Sequence, residues 1–252
     1  MSEQIEVAGS DTSAPINMEK RLRLLSSWTS FQALRLLDAG CGAGAFVEEA
    51  ARRGADVRGI EYQEDKVEDW ERRHPGDGRV QRGDLAALDF PDASFDAVLN
   101  NEVLEHVPDD KLALREMARV LKPGGLLFLF TPNRFYPVES HGYILRHSGE
   151  HVSGMRGPFL PWLPIALAER RVRFWARNYW PGQLRRMVLE AGFTVEQHTF
   201  VWQTFEGISG GKPKLIHRVA PLARTVANIA EATPLIRMFG CSQLIVARKP
   251  KA

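Results

Sequence analysis

Three glycines fall within five positions in "LLDAGCGAGAF", residues 36–46, immediately after an apolar run. The run Arg35 to Ala39 reads as a buried strand. Phe46, Val47, Ala50 and Ala51 then share one helical face, with Gly54 as a left-handed stop. The glycines therefore occupy a strand-to-helix turn, where backbone amides and the positive end of a helix dipole meet and a ligand can approach closely. Gly40, Gly42 and Gly44, with Ala45 counted last, also satisfy the dinucleotide pattern G-x-G-x-x-G/A. The glycines alone admit a nicotinamide dinucleotide or any other adenosine ligand.

The turn opens a repeating pattern. Apolar runs at Ala55 to Glu61, Arg79 to Arg82, Phe95 to Asn100 and Leu126 to Thr131 alternate with helical stretches, the signature of a parallel sheet covered by helices. One helix fits Glu64 to Arg73, ended by Pro75 and Gly76. A second follows Asp109, with Leu114, Met117 and Leu121 on one side and "KPGG" closing it. A third runs from Pro181 to Ala191, with Gly192 just beyond. The alternating stretch "FTVEQHTFVWQTF" and the final "CSQLIVARK" read as strands that pair at one edge. The expected fold is an α/β, Rossmann-like, doubly wound seven-stranded sheet with an antiparallel last strand. With 252 residues and 44% hydrophobic composition, the chain is expected to form a polar N-terminal arm over 1–16 and one domain over 17–252. Two insertions, at 133–180 and 206–239, remain outside the repeat.

Further along, chemistry narrows the ligand. About 20 residues past the glycines, the dinucleotide rule expects an acidic group for ribose hydroxyls at the end of the second strand, and Glu61 stands there in "GIEYQ". Asp84 in "GDL" falls at the end of the third strand, where a carboxylate can accept from an adenine amino group while Leu85 covers the ring. Then come "NNEVLEHV" after the fourth strand and "LKPGG" before the fifth. In this order and spacing, "LLDAGCGAGAF", "GIEYQ", "GDLAALDFPDASFDAVLNNEVLEHV" and "LKPGG" resemble the class I S-adenosylmethionine-dependent methyltransferases, in the branch of the ubiquinone-type O-methyltransferases, with "PGQLRRMVLEAGF" adding support.

The resemblance implies S-adenosyl-L-methionine as cofactor. It implies that Asp38 and the three glycines position the methionine portion, and that Glu61 holds the ribose hydroxyls with Tyr62 beside the adenine. Asp84 and Leu85 would bind the adenine and Asn101 would lie under the cofactor, although relatives often carry an apolar residue there. Glu105 and His106 are expected to brace the loop. The competing readings are a nicotinamide-dependent oxidoreductase, which has no use for Asp84, "NNEVLEHV" or the final hairpin, and a non-catalytic nucleotide-binding protein, against which Asp38, Glu61 and Asp84 stand intact.

Methyl transfer from a sulfonium demands alignment above all, and a hydroxyl acceptor adds a proton to be removed. "TPNRFYPVESHGYILRHSGEH" brings Glu139, His141, His147 and His151 just after the fifth strand. His141, expected in an exposed glycine-flanked turn, is the candidate general base. In the insertions, Ile165, Ala168, Val172 and Trp175 make one helical stripe interleaved with Arg170, Arg171, Arg173 and Arg177. Leu222, Val226, Ile229 and Ala230 make another, bounded by Pro221 and Pro234. Both read as amphipathic helices of a cap packed on the sheet, facing a small-molecule, glycan or lipid-like acceptor, with peripheral membrane contact through the arginines as the sharper alternative. Oxygen is the expected acceptor atom and nitrogen the next.

Composition excludes several classes. Thirty-three Lys and Arg against 31 Asp and Glu give +2, without the broad basic footprint of nucleic-acid binders. Cys41 and Cys241 suit a reducing cytoplasm, and no His/Cys cluster has metal-site spacing, so no metal is expected. The polar, acidic start does not read as a secretory signal, and no apolar run nears the ~20 residues that span a bilayer.

Overall fold

The computed structural model describes residues 15–152, 156–202, 204 and 214–251. In chain order the elements are α1 (Pro15–Ser26), β1 (Arg35–Ala39), α2 (Ala45–Arg52), β2 (Asp56–Glu61), α3 (Glu64–Arg73), β3 (Val80–Arg82), β4 (Phe95–Asn101), α4 (Asp110–Val120) and β5 (Leu121–Pro132). Next come β6 (Val138–Glu139), β7 (Tyr143–Leu145), β8 (His151–Val152), β9 (Arg156–Pro158), α5 (Ile165–Ala168) and β10 (Val172–Phe174). The chain then continues through α6 (Pro181–Glu190), β11 (Thr194–Val201), α7 (Lys214–Ala232), α8 (Pro234–Arg237) and β12 (Ser242–Arg248). Among the described residues no helix is long and apolar enough to cross a membrane.

The chain divides into two compact units. One comprises Met18–Thr131, Gly182–His198 and the described part of Leu244–Ala252; the other contains the described residues of Pro132–Pro181 and Thr199–Gln243. The first is built on a seven-stranded sheet in the order β11-β12-β5-β4-β1-β2-β3. Strands β1, β2, β3, β4 and β5 run parallel, with Leu36 opposite Val57 and Ala97, and the last strands are antiparallel. Strand order reverses beside β1, between β2 and β4. Their carboxyl ends therefore diverge and open a crevice, the usual ligand site of open α/β sheets. Leu37, Val98, Leu127 and Phe128 are fully buried in this sheet, each worth about 1.5–3 kcal/mol over exposure. Helix α4 starts as the sequence expects, with Asp109 accepting the Leu112 N–H at 2.8 Å.

Four expectations need correction. Helix α1 begins at Pro15, inside the stretch expected to be an arm; residues 1–14 lie outside those described. "KPGG" does not follow the helix as a loop but belongs to β5, whose pairing with β4 shifts register between Phe95 and Ala97. The register shift absorbs extra residues while both strands stay paired. The stripe Ile165, Ala168, Val172, Trp175 is not one helix: α5 ends at Ala168, and Val172–Phe174 pairs antiparallel with Tyr143–Leu145. Val172 is buried and Arg173 exposed, so a period of two replaced the expected 3.6. Pro221 does not start the later helix, because α7 runs from Lys214 through it. Its ring is solvent-exposed, so the helix loses one backbone donor without burying an unsatisfied group.

The second unit holds a three-stranded sheet, β10-β7-β8, and a two-stranded one, β6-β9. Buried polar side chains tie its parts together. The Asn133 amide donates to the carbonyls of Met238 (2.8 Å) and Gly240 (2.7 Å), and Arg134 donates to those of Pro161 and Leu163, both at 2.7 Å. The two insertions are thereby stapled to each other, a tertiary relation that no local pattern announces.

The glycine turn generates a stability prediction. Gly40, Gly42 and Gly44 all have positive φ, at 91°, 54° and 87°, but they differ in surroundings. A Cβ on Gly44 would overlap the Trp70 ring, and one on Gly42 would meet nothing within 4 Å. Gly42→Ala should therefore cost only the left-handed strain of ~1–2 kcal/mol, while Gly44→Ala adds ~1–3 kcal/mol of overpacking. Urea midpoints of the two variants check this order.

Candidate active site

The crevice is lined by residues that the first unit's strand ends deliver. Asp38, near the end of β1, is 2% exposed, and its Oδ2 accepts no hydrogen bond among the described residues. Burial, reinforced by the neighbouring Glu61 carboxylate, pushes its carboxyl up to about 7. Glu61, the last residue of β2, accepts the Gly42 N–H through Oε2 and the Gln63 N–H through Oε1, both at 2.9 Å. Two acidic groups thus share one dry corner. Such a corner favours a cation and penalises an anion.

Four amides of the glycine turn are engaged: Gly40 and Cys41 donate to the Ile60 carbonyl at 2.8 and 3.0 Å, Gly44 donates to Cys41, and Gly42 to Glu61. The Ala43 and Ala45 N–H groups donate to no acceptor among the described residues, so the expectation of open donors holds for part of the turn and fails for its glycines. Close packing dictates Gly40 and Gly44, since a Cβ at Gly40 would overlap Val103, whereas Gly42 faces open space. The Cys41 thiol, next to both carboxylates and mostly buried, is held far above its ordinary ionisation.

Farther along the sheet edge, Asp84 is exposed just past β3, with Oδ1 accepting the Ala86 N–H at 2.8 Å. Leu85 beside it is buried, and Tyr62 stands 69% exposed next to Glu61. The crevice thus joins Asp38, Gly42 and Glu61 directly, while Tyr62, Asp84 and Leu85 follow on adjacent strand ends.

After β4 the chain makes a tight turn whose polar groups are nearly all committed. Asn100 donates to the Ala39 carbonyl at 2.8 Å and accepts the Leu104 N–H at 3.2 Å, pinning the end of β4 to β1. Asn101 is buried, and its carboxamide oxygen accepts from the Arg21 guanidinium at 2.5 Å. Arg21 also donates to Glu102 at 3.1 Å and lies 4.4 Å over the Phe130 ring. Glu102 takes the left-handed conformation, φ 59°, which non-glycine residues adopt mainly where surroundings over-determine it. Sequence reasoning missed Arg21 and Glu102. The signal was an arginine between Leu22 and the start of a short helix, with nothing to say that its guanidinium is 1% exposed. Glu105 and His106 lie in a 3-10 turn, and burial pushes Glu105 well above the ordinary carboxyl range.

His141 belongs to the second unit and is buried rather than exposed, which corrects the expected open turn. Its backbone N–H donates to Glu139 Oε1 at 3.0 Å, and its Nδ1 lies 3.1 Å from Ser140 Oγ. Glu139 is fully buried, accepts from Asn178 at 2.8 Å, and is pushed up to about 7 by desolvation. These hydrogen bonds draw the glycine-flanked turn inward. His147 and His151 are exposed, the latter 5.3 Å from the Trp175 ring.

Residues 37–129 match a family described as a methyltransferase domain. The ubiquinone biosynthesis O-methyltransferase of Chelativorans sp. is 35% identical over 175 residues, covering 68% of this chain and 63% of that protein. That of Xanthomonas oryzae pv. oryzae is 44% identical over 120 residues, covering 45% and 49%. The chain thus spans about half to just under two thirds of the curated relatives it matches. A crystal structure of an S-adenosylmethionine dependent methyltransferase from Mesorhizobium loti covers 90% of this chain and 96% of its own, at 22% identity and a TM-score of 0.59, and shares the fold.

The buried carboxyls set a pH dependence. Asp38 ionises near 7 in the folded chain against an ordinary 3.8, so its contribution is fully present below about 3.8 and is lost as pH rises through about 7. Glu139 acts with the same sign. The melting temperature should therefore fall between pH 5.5 and pH 8.5, and Asp38→Asn, which cannot ionise, should show a smaller fall. Equal falls in the two proteins would remove Asp38 as a cause.

Proposed function

We propose that this chain, whose residues 37–129 are a methyltransferase domain of the class I S-adenosylmethionine-dependent family, transfers a methyl group to an oxygen of a small-molecule, glycan or lipid-like acceptor. The observation that carries the reading is the acidic corner of Asp38 and Glu61, with one carboxylate oxygen unpartnered and the amides of the three turn glycines already engaged. A dinucleotide would bring a doubly charged pyrophosphate to a turn whose glycine amides are already engaged and to carboxylates that repel it. S-adenosylmethionine supplies a methyl group activated on a cationic sulfonium, together with an ammonium group, and both suit that corner.

The chain's residues divide the work by chemistry. Asp38 accepts from the ammonium end, and its orphan oxygen gains the partner that the free protein lacks. Glu61 keeps lone pairs for two ribose hydroxyls while its backbone partners fix its rotamer. Asp84 and Leu85 take the adenine, with the exposed Tyr62 ring against it. Asn101 has its oxygen held by Arg21, so its amide hydrogens are the face left to offer. Gly42 keeps the turn thin where the ligand must pass. Displacement at carbon then needs alignment above all, and the acceptor's proton goes to His141, whose Nδ1 faces Ser140.

Oxygen as the acceptor atom is supported by the relatives, which are named O-methyltransferases. A buried imidazole with a fixed ring serves that chemistry, because a hydroxyl must lose a proton and a neutral amine need not.

Calorimetry with S-adenosylhomocysteine and with NAD separates the cofactor readings: binding of the first alone is expected, and binding of NAD alone sinks the proposal. Asp38→Asn should weaken S-adenosylhomocysteine by about tenfold or more, from loss of one charge-assisted hydrogen bond. Incubating the protein and methyl-labelled cofactor with a cell extract, followed by mass spectrometry, identifies the acceptor. With that acceptor, His141→Ala should slow single-turnover methylation by roughly a hundredfold while leaving S-adenosylhomocysteine affinity unchanged. An unaltered rate removes His141 from catalysis.

A further inference from the structure

We propose that the second unit presents a docking face for an anionic lipid bilayer, formed by α7, α8 and the segment from Phe159 to Leu167. The inference is independent of the methyl-transfer reading, since it rests on a different part of the chain.

The helix α7 is amphipathic in the wrong sense for a helix stabilised by its own packing. Leu222, Val226 and Ile229, one stripe at i, i+4, i+7, are 67%, 56% and 62% exposed, whereas Ala227 and Ala230 are 2% and 7% exposed. Over residues 221–232 of α7, Ala227 and Ala230 face the protein while Leu222, Val226 and Ile229 face out. Each large side chain left in water forgoes about 1.5–3 kcal/mol, so the arrangement favours a second apolar phase over the protein's own core. Exposed apolar groups are not confined to the helix. Trp162 lies 5.1 Å from the Phe159 ring and 6.4 Å from Phe239, bringing the two insertions together in an aromatic cluster. Leu235 in α8 is 79% exposed.

Charge selects the occupant. Residues 132–181 and 199–243 carry twelve Lys and Arg against five Asp and Glu, while the rest of the chain carries 21 against 26. The overall +2 thus conceals a cationic part and an anionic part. Arg170, Arg171 and Arg173 are exposed in the same unit. A second copy of the face would bring like charges together, whereas anionic lipid headgroups attract them at about 1 kcal/mol per basic residue near the surface. Tryptophan, phenylalanine and arginine around an aliphatic stripe are also the composition of a helix lying in the plane of the headgroups. Contact in that plane needs no crossing, which agrees with the absence of a spanning helix among the described residues.

The test is flotation of the full chain with vesicles of phosphatidylcholine alone and of phosphatidylcholine with phosphatidylglycerol, at low and high salt. The chain should float with the anionic vesicles at low salt, less at high salt, and little with the neutral ones. The triple variant Leu222→Gln, Val226→Gln, Ile229→Gln should keep its circular dichroism and melting temperature, because these side chains are mostly in water, and lose about tenfold or more of its binding. Arg170→Glu with Arg171→Glu should remove the anionic preference. No flotation under any condition, or equal flotation of the triple variant, overturns the proposal. So does a concentration-dependent dimer in analytical ultracentrifugation that the triple variant abolishes, since a second copy would then cover the face.

Discussion

A buried carboxyl near the end of β1, without a cationic partner among the described residues, is the constraint on which the proposed cofactor site depends. Asp38 is buried, one of its oxygens has no hydrogen bond among the described residues, and its nearest charged neighbour is another acid. Interiors do not tolerate such a group without compensation: desolvation alone costs several kcal/mol for an ion. The free protein softens that cost by raising the ionisation of Asp38 to about 7. Protonation lowers the cost without supplying a partner. A ligand that arrives with a positive charge turns the same desolvation into selectivity, because the attraction acts in a low dielectric where water cannot screen it.

Much of the surrounding structure keeps that corner in shape. Ile60 accepts two amides from the turn, so β2 holds the loop that follows β1. Asn100 ties the end of β4 back to Ala39, and Arg21 fixes Asn101 and Glu102 from α1. The polar groups engaged in this way are unavailable to a ligand. What remains on offer includes an unpartnered oxygen on Asp38, lone pairs on Glu61, the amide hydrogens of Asn101, the N–H groups of Ala43 and Ala45, and the open space at Gly42. This short list explains why a glycine pattern shared with dinucleotide sites can serve a different ligand: pattern describes backbone shape, and the neighbouring charges decide what the shape accepts.

Legibility in the sequence followed the range of the interactions. β1, the helix over Glu64 to Arg73, and Glu61 at a strand end were readable because a buried parallel strand and its capping residues are local signals. Asp38 and Glu61 were legible as carboxyls at strand ends, but the electrostatic coupling between them depends on adjacent strands. Arg21 was invisible, because a buried arginine is defined by Asn101 and Glu102 some eighty residues away. The stripe over 165–175 misled for a physical reason: Ala168, Val172 and Trp175 stand at helical spacing, yet pairing of Val172–Phe174 with Tyr143–Leu145 satisfies more backbone groups than a short helix ended at both sides could. His141 failed in the same manner, drawn inward by Glu139 through a contact two residues away that no exposure rule anticipates.

The two units differ in how tightly chemistry constrains them. Residues 37–129, the stretch that matches the methyltransferase family, lie wholly within the sheet unit. On the proposed reading, the strand-end side chains there answer to the cofactor, and the acceptor is left to the second unit. Its sequence departs from both demands of an ordinary soluble cap, since it places large apolar groups in water and concentrates positive charge. Each departure costs stability or solubility on its own. Both departures are what the proposed contact with a surface apolar inside and negative at its border would require.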